Sequence, residues 1–349
     1  MKITLDCERM KYAHTGLFEY CHQLGRALKA NKSIEDEISY YLNPKLQQHF
    51  DSDDKFVDQH SLQKFIFPRL KNTDLWHITY QRSSYIPRDR KIKRVLTIHD
   101  LNFLHEGKSS IKVKSYLQKH QANIDLADHI IAISAFTKDD VIKNLRIGDK
   151  PITVIYNGCG EETFQSFTNP AYTPLKPFLF ALGTVNPKKN FHVLVPLLKS
   201  NDYELIIAGK TEPDYKDKIM EEAKKHQVAH RVKVVGPISD QEKYWYYENC
   251  EAFLFPSLAE GFGIPPLEAM RFGKPVFLST TTSLPEIGGT LAYYFNSFDP
   301  IDMQEVFQAG MNDYYETKPA EAIIAHAKQF NWETSAKAYW EVYRKTLKG

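Results

Sequence analysis

Short runs of consecutive apolar residues recur along the chain, separated by stretches whose apolar positions fall three and four apart. A run apolar on both faces predicts a strand buried on both sides, as in a parallel sheet. Apolar positions at helical spacing predict amphipathic helices. A first series of strands is predicted near Ile3–Cys7, Ile38–Leu42, Trp76–Tyr80, Val95–His99, Ile130–Ser134 and Thr153–Tyr156. A second is predicted near Phe178–Leu182, Leu205–Ala208, Val232–Val235, Ala252–Phe255, Val276–Ser279 and Ala292–Phe295. Helical patterns lie between most of them, among them Phe18–Lys29, Val113–Leu126, Thr137–Leu145 and Tyr215–Lys225. Strand–helix alternation implies right-handed crossovers and parallel sheets. Between the two series, Thr168–Pro177 holds three prolines in ten residues, which predicts a stiff linker. A last amphipathic stretch puts Trp332, Ala336, Tyr339, Trp340 and Tyr343 on one helical face.

At 349 residues the chain is too long for one ordinary core and suits two. The expected architecture is α/β, with two Rossmann-like domains over residues 1–167 and 168–331 and a cleft between them. A composition of 42% hydrophobic and 25% charged residues is globular, and a net charge of +2 carries no nucleic-acid signal. Cys7, Cys21, Cys159 and Cys250 are scattered with no CxxC. That argues against a disulfide framework or zinc site and fits a reducing compartment. Met1–Asp6 turns polar too soon for a secretory leader. No apolar run reaches the ~18 residues of a membrane span. The expected location is cytoplasmic, with peripheral membrane attachment left open.

The most informative segment is residues 256–270, PSLAEGFGIPPLEAM. An apolar strand precedes it, a Gly-Phe-Gly turn sits inside it, and Leu267 to Phe272 reads as the first turns of a helix. Ligands of open α/β sheets bind at such carboxyl strand ends. Gly261 and Gly263 let backbone approach a ligand with no Cβ in the way. The first N–H groups of a helix, with its dipole, favour an anion. Glu260 and Glu268 stand eight positions apart around this turn. A phosphate site flanked by two carboxylates suits a sugar nucleotide. Two solvated glutamates beside a turn would have the same spacing.

The whole string resembles the signature of glycosyltransferase family 4, the retaining enzymes of the GT-B fold. The resemblance spans nearly the whole chain and is most specific in the second domain. It implies parallel sheets facing across a cleft, with the C-terminal helix, about 332–349, crossing back onto the first domain. In that family the first Glu contacts the donor hexose and the second holds the ribose hydroxyls. Those roles fall on Glu260 and Glu268, with Gly261, Phe262 and Gly263 forming the donor loop.

Phe180–Asn190, FALGTVNPKKN, resembles the family loop where a lysine grips the donor phosphates, and Lys189 is the match. A compact ammonium there would stabilise the charge that grows on a nucleoside diphosphate leaving group. Many members carry an arginine five positions earlier, where this chain has Thr184. Lys188 is expected to share the load. In the first domain, His99-Asp100 ends a strand and matches the family's "HD" position, which places His99 near the donor sugar. Asp100 would orient it, bind acceptor or cap the next element. Thr15-Gly16 resembles the family's glycine loop, reduced here from two glycines to one. Ser134 matches an "S-x-(F/Y)-(S/T)" segment and equally reads as a helix cap. Asn157-Gly158 matches a family turn.

Asp51–Asp54 imitates a DxD metal motif but lies in a polar loop and reads as solvated. No cofactor or metal is expected, because Lys189 and a helix start can do a cation's work. Residues 64–94 interleave Lys64, Arg69, Lys71, Arg82, Arg88, Arg90, Lys91, Lys93 and Arg94 with aromatics. Residues 1–165 hold 25 basic and 21 acidic side chains, a net of +4. A solvated face would look like this, and so would a surface that meets anionic membrane or a lipid-diphosphate acceptor.

The resemblance implies retaining transfer of a hexosyl unit from a nucleotide sugar to a saccharide or lipid-linked acceptor. "GTxxPKKN" and Ser283–Ile287 resemble mannosyl-transferring members of surface polysaccharide assembly, which favours GDP-mannose. Two rivals share the architecture: a nucleotide-sugar epimerase, which needs no acceptor, and a silent sugar-nucleotide-binding module, which would bind without turnover.

Overall fold

The computed structural model describes residues 1–13, 15–160 and 170–349. Thr168 and Asn169 of the proline-rich segment, and the expected boundary at 167/168, lie outside them. The chain divides into two compact units, Met1–Gly160 with Phe330–Gly349, and Glu161–Gln329.

The first unit runs β1 (Lys2–Asp6), α1 (Gly16–Ala30), β2 (Glu37–Leu42), β3 (Lys55–Asp58), β4 (Leu75–Ile78), β5 (Lys93–Ile98), α2 (Ser110–Leu126), β6 (His129–Ala132), α3 (Ala135–Asn144) and β7 (Ile152–Val154). The seven strands pair in parallel in the order β3-β2-β1-β4-β5-β6-β7. The order reverses between β1 and β4, so a crevice opens at their carboxyl ends. Thr15 caps α1 by accepting from the Phe18 N–H at 3.3 Å, and Ser134 caps α3 by accepting from Thr137 N–H at 3.0 Å.

The second unit runs β8 (Phe178–Leu182), β9 (Glu204–Ala208), α4 (Pro213–Lys225), β10 (Val232–Gly236), α5 (Asp240–Asn249), β11 (Ala252–Phe255), α6 (Ile264–Arg271), β12 (Val276–Ser279), α7 (Leu284–Gly288), β13 (Tyr293–Phe295), α8 (Pro300–Thr317) and α9 (Ala320–Lys328). Its six strands are parallel in the order β10-β9-β8-β11-β12-β13, with the reversal between β8 and β11. The core of one face joins Leu179, Ala181 and Leu254 to Leu194, Leu197 and Phe307.

The chain then returns to the first unit as α10 (Trp332–Lys348), which packs along α1. The apolar stripe read from the sequence is what it buries: Ala336, Tyr339, Trp340 and Tyr343 join Ile3, Leu5, Leu24 and Leu28 in one core. Trp340 Nε1 donates to Leu28 O at 3.1 Å, and Tyr343 OH bonds His77 Nδ1 at 2.7 Å. A Cβ on Gly158 would stand 2.4 Å from the Trp332 backbone nitrogen, so the turn before the crossing needs glycine.

Two elements, β3 and the start of α6, differ from the sequence expectation. β3 was not foreseen: Lys55–Asp58 is an edge strand in which only Phe56 and Val57 are even partly buried. Phe191–Ser200 has an apolar helical pattern but winds as 3-10 turns with Pro196 inside, where a missing N–H breaks the α ladder. α6 starts at Ile264, three residues before Leu267, because Pro265 and Pro266 are tolerated in a first turn, where the N–H groups have no helical partner.

Candidate active site

In the second unit the loops after β8 and β11 flank the point where strand order reverses. Pro187–Lys189 forms a tight turn after β8, and the Asn186 side chain accepts from Lys189 N–H at 3.3 Å. The Lys189 side chain then runs over Gly183, where a Cβ would meet its Cε at 3.0 Å. Its Nζ donates to Glu260 Oε1 at 2.5 Å and lies 4.5 Å from the Phe255 ring centroid. The two side chains are only 12% and 13% exposed.

Glu260 is anchored through its backbone. Its N–H donates to Thr282 Oγ1 at 2.9 Å, and Ser283 Oγ donates to the Glu260 and Phe262 carbonyls at 3.1 and 2.8 Å. Gly263 has φ of 129°, a conformation that strains any residue with a Cβ. Burial pushes the Glu260 carboxyl up, but Lys189, Lys188 and the Ser257 hydroxyl outweigh it and hold it below the usual range. Burial also pulls Lys189 below its ordinary value, against the upward effect of Glu260. The result is a tight ion pair with little water around it.

Glu268, one turn into α6, does not join that pair. Its Oε1 accepts from Lys243 Nζ at 2.8 Å and its Oε2 from Tyr247 OH at 2.9 Å. The two glutamates of the motif therefore serve two separate clusters. Lys243 and Tyr247 were not foreseen, and no local signal in α5 marks them. Lys188 lies half-buried beside the pair, with its carbonyl accepting from Leu258 N–H at 2.9 Å. Thr184 is exposed just past β8. Gly261 and Phe262 complete the loop, with Phe262 buried.

In the first unit, His99 follows β5 and is buried. Its Nε2 lies 2.7 Å from Thr79 O, and a carbonyl can only accept, so that nitrogen carries the proton. Neutral His99 then keeps Nδ1 as its acceptor. Burial pulls its pKa below the ordinary histidine value. The ring meets Tyr20 edge-on at 4.6 Å. Asp100 Oδ1 accepts from Asn102 N–H at 3.0 Å, which is a turn cap. Ser134 sits beneath the site, bonding Thr137 Oγ1 at 2.8 Å, and Thr137 in turn reaches the His99 carbonyl at 3.4 Å. Gly16 is the exposed first residue of α1.

Asp6, at the carboxyl end of β1, went unnoticed in the sequence. It is buried, accepts from Ser83 Oγ at 2.7 Å and Glu8 N–H at 3.1 Å, and lies one residue link from His99, since Thr79 Oγ1 donates to the Asp6 carbonyl. Burial, opposed by the Ser83 and Glu8 bonds, pushes its carboxyl up to about 7. Asp51, Asp53 and Asp54 all pair with Lys29, at 2.9, 2.8 and 2.8 Å.

Comparison with known proteins bears on the family and the fold. Residues 167–329 match the family described as "Glycosyl transferases group 1", and residues 53–162 match "Glycosyltransferase Family 4". The "Serotype-specific mannosyltransferase WbdA" of Escherichia coli is 29% identical over 276 residues, covering 73% of this chain and 34% of that protein. The chain thus spans about a third of the length of that relative. The "O-antigen chain mannosyltransferase B" of Escherichia coli is 24% identical over 387 residues, covering 99% and 100% of the two chains. Sucrose-phosphate synthase from Thermosynechococcus elongatus superposes with a TM-score of 0.73 at 18% identity, covering 99% of this chain and 98% of the other. At that identity the likeness is one of fold, and the fold is GT-B.

Proposed function

The chain belongs to the group 1, family 4 glycosyltransferases, and from that premise we propose that it transfers a mannosyl unit from GDP-mannose to a saccharide or lipid-linked saccharide acceptor. The observation that carries glycosyl transfer from a sugar diphosphate is the Lys189–Glu260 pair at the switch point of the second unit, while mannose as the sugar is supported by the mannosyltransferase relatives. An ammonium and a carboxylate held side by side offer a donor to phosphate and an acceptor to sugar hydroxyls. A sugar diphosphate entering here exchanges the internal pair for one contact on each partner. The Lys189 charge, with the start of α6, stabilises the diphosphate as it leaves. Glu268 takes the ribose hydroxyls. His99, neutral and with Nδ1 as acceptor, takes a hydroxyl of the donor sugar.

Retention follows from attack on the face the diphosphate leaves. The anomeric carbon–phosphate oxygen bond breaks, the acceptor oxygen bonds that carbon, and its proton passes to the departing phosphate. No metal takes part in this scheme. It is tested by turnover with GDP-mannose and a mannosyl acceptor, in chelator and then in magnesium. Activity that is abolished by chelator and restored by magnesium overturns the metal-free scheme.

The acceptor side involves the membrane surface. No helix among the described residues is long and apolar enough to cross a bilayer. Leu62, Phe65 and Ile66 stand 75%, 73% and 82% exposed on the first unit. Lys64, Arg69, Lys71, Arg88 and Lys91 are exposed in the same part of the chain, and Arg69, Arg88 and Lys91 line one groove with Phe67. Apolar side chains flanked by cations suit an anionic bilayer carrying a lipid-linked acceptor. Arg94, in contrast, is buried and donates to the Pro87 carbonyl at 2.8 and 3.0 Å, so it serves the fold.

A further inference from the structure

We propose that Lys243 and Tyr247 are positioning residues that hold the Glu268 carboxylate ready for the two hydroxyls of the donor ribose. The inference rests on the reading that Glu268 faces that ribose. Its starting point is that each oxygen of this carboxylate already has one partner from α5.

The start of α5 is fixed by a reciprocal cap. Glu242 N–H donates to Ser239 Oγ at 3.3 Å, and Ser239 N–H donates to Glu242 Oε2 at 2.9 Å. Lys243 and Tyr247 then follow four residues apart and share a helix face. Tyr247 is fully buried, with its ring edge-on to Phe180 at 5.4 Å and to Phe253 at 5.4 Å, and stacked on Phe272 at 6.1 Å. Packing on three sides fixes where its hydroxyl points, and it points at Glu268 Oε2. Lys243 is mostly buried, lies 4.7 Å from the Tyr244 ring centroid, and divides its ammonium between Glu268 and Asp240, the latter at 3.1 Å. Burial would drive that ammonium toward its neutral form, but Glu268 outweighs burial and the net shift is upward, so Lys243 stays charged.

An ionised carboxylate offers about four lone-pair sites over its two oxygens. One protein donor on each oxygen fixes the plane of the group and leaves an acceptor position on each. A ribose presents two neighbouring hydroxyl donors, which matches that remainder. A glutamate without these partners would have to be ordered when the nucleotide binds, and that cost would appear as lost affinity. The arrangement therefore acts on ribose recognition and not on phosphate or base.

The test is calorimetric titration of the full chain with GDP and with 2′,3′-dideoxy-GDP, with UDP, ADP and their dideoxy forms in parallel. Wild type should bind the ribose form more tightly. Lys243→Met should weaken the ribose form by about tenfold, the scale of one hydrogen bond to a charged group, and leave the dideoxy form unchanged. Lys243→Arg should recover most of the loss. Tyr247→Phe keeps the ring packing, removes only the hydroxyl, and should show the same selective loss. Equal weakening of both ligand forms would mean a general structural role and overturn the inference. So would wild-type affinity in both variants, and if Glu268→Gln still lost the ribose preference, the reading of Glu268 would survive. Wild-type behaviour of Glu268→Gln, or no ribose preference in wild type, would remove the reading and the inference together.

Discussion

Lys189 Nζ and Glu260 Oε1 meet at 2.5 Å across 71 residues of sequence, each supplied by the loop that follows one of the two strands at the switch point. Because they form one unit, their variants should not act independently. Lys189→Ala and Glu260→Ala should each lower turnover by ~10²–10³, the scale of losing one transition-state contact. The double variant should fall well short of the product of the two losses, since each single change already leaves the other group without its partner. Steady-state rates of the four proteins check this. A fully multiplicative double variant contradicts a shared role.

Asp6 gives the first unit a pH dependence of known sign. Its folded value of about 7 lies above the unfolded value near 3.8. Its contribution to stability is therefore complete below about 3.8 and is lost as pH rises toward 7. His99 works the other way. Its folded value is depressed by burial, so its contribution is present above the ordinary histidine value and is lost as pH falls through the depressed one. Between pH 5.5 and 7 Asp6 alone makes stability fall by up to ~1.4 kcal/mol per pH unit, set against the rise contributed by His99 and by His77, whose value burial lowers to about 3. Asp6→Asn removes the downward contribution, so the variant's stability should rise with pH relative to wild type by up to ~1.4 kcal/mol per unit, as read from urea midpoints of the two proteins at several pH values; parallel profiles would contradict it.

Gly158→Ala should destabilise the first unit by ~1–3 kcal/mol, because its methyl group meets the Trp332 backbone at 2.4 Å and α10 must shift. Thermal melts read the loss. An unchanged melting temperature would mean that the turn into α10 is looser than this contact implies.

Exposed cations beside Leu62, Phe65 and Ile66 should govern vesicle binding. Arg69→Ala and Lys71→Ala should each reduce partition onto phosphatidylglycerol vesicles about fivefold, equivalent to ~1 kcal/mol per charge, and the loss should shrink in high salt. Phe65→Asp should reduce it further. Equal binding to neutral vesicles contradicts an electrostatic surface.

The sheets were readable because buried parallel strands are unbroken apolar runs: Phe253–Phe255, Ile130–Ala132 and Ile206–Ala208 each sit fully inside. β3 was not, because an edge strand with two half-buried residues leaves almost no such run. The stripe on α10 was legible, and so was its burial, but the sequence pattern alone did not say which core receives it. Among the candidate residues, Lys189, Glu260 and Glu268 of the second unit and His99 of the first were reached through a family resemblance that attaches to local strings. Asp6, Lys243 and Tyr247 belong to no such string. Their significance lies in partners 77, 25 and 21 residues away, and such pairings exist only once the chain is folded.

The central claim is a donor site built on Lys189 and Glu260, and the most direct measurement is a thermal-shift titration without metal. Wild type and Lys189→Ala would be titrated with GDP, UDP, ADP and their common sugar conjugates, then again with magnesium. A ligand that binds only the folded state raises the melting temperature with concentration. The account predicts that GDP and GDP-mannose stabilise wild type without metal and that Lys189→Ala loses most of that shift. Stabilisation by no nucleotide, or an undiminished shift in Lys189→Ala, would contradict it.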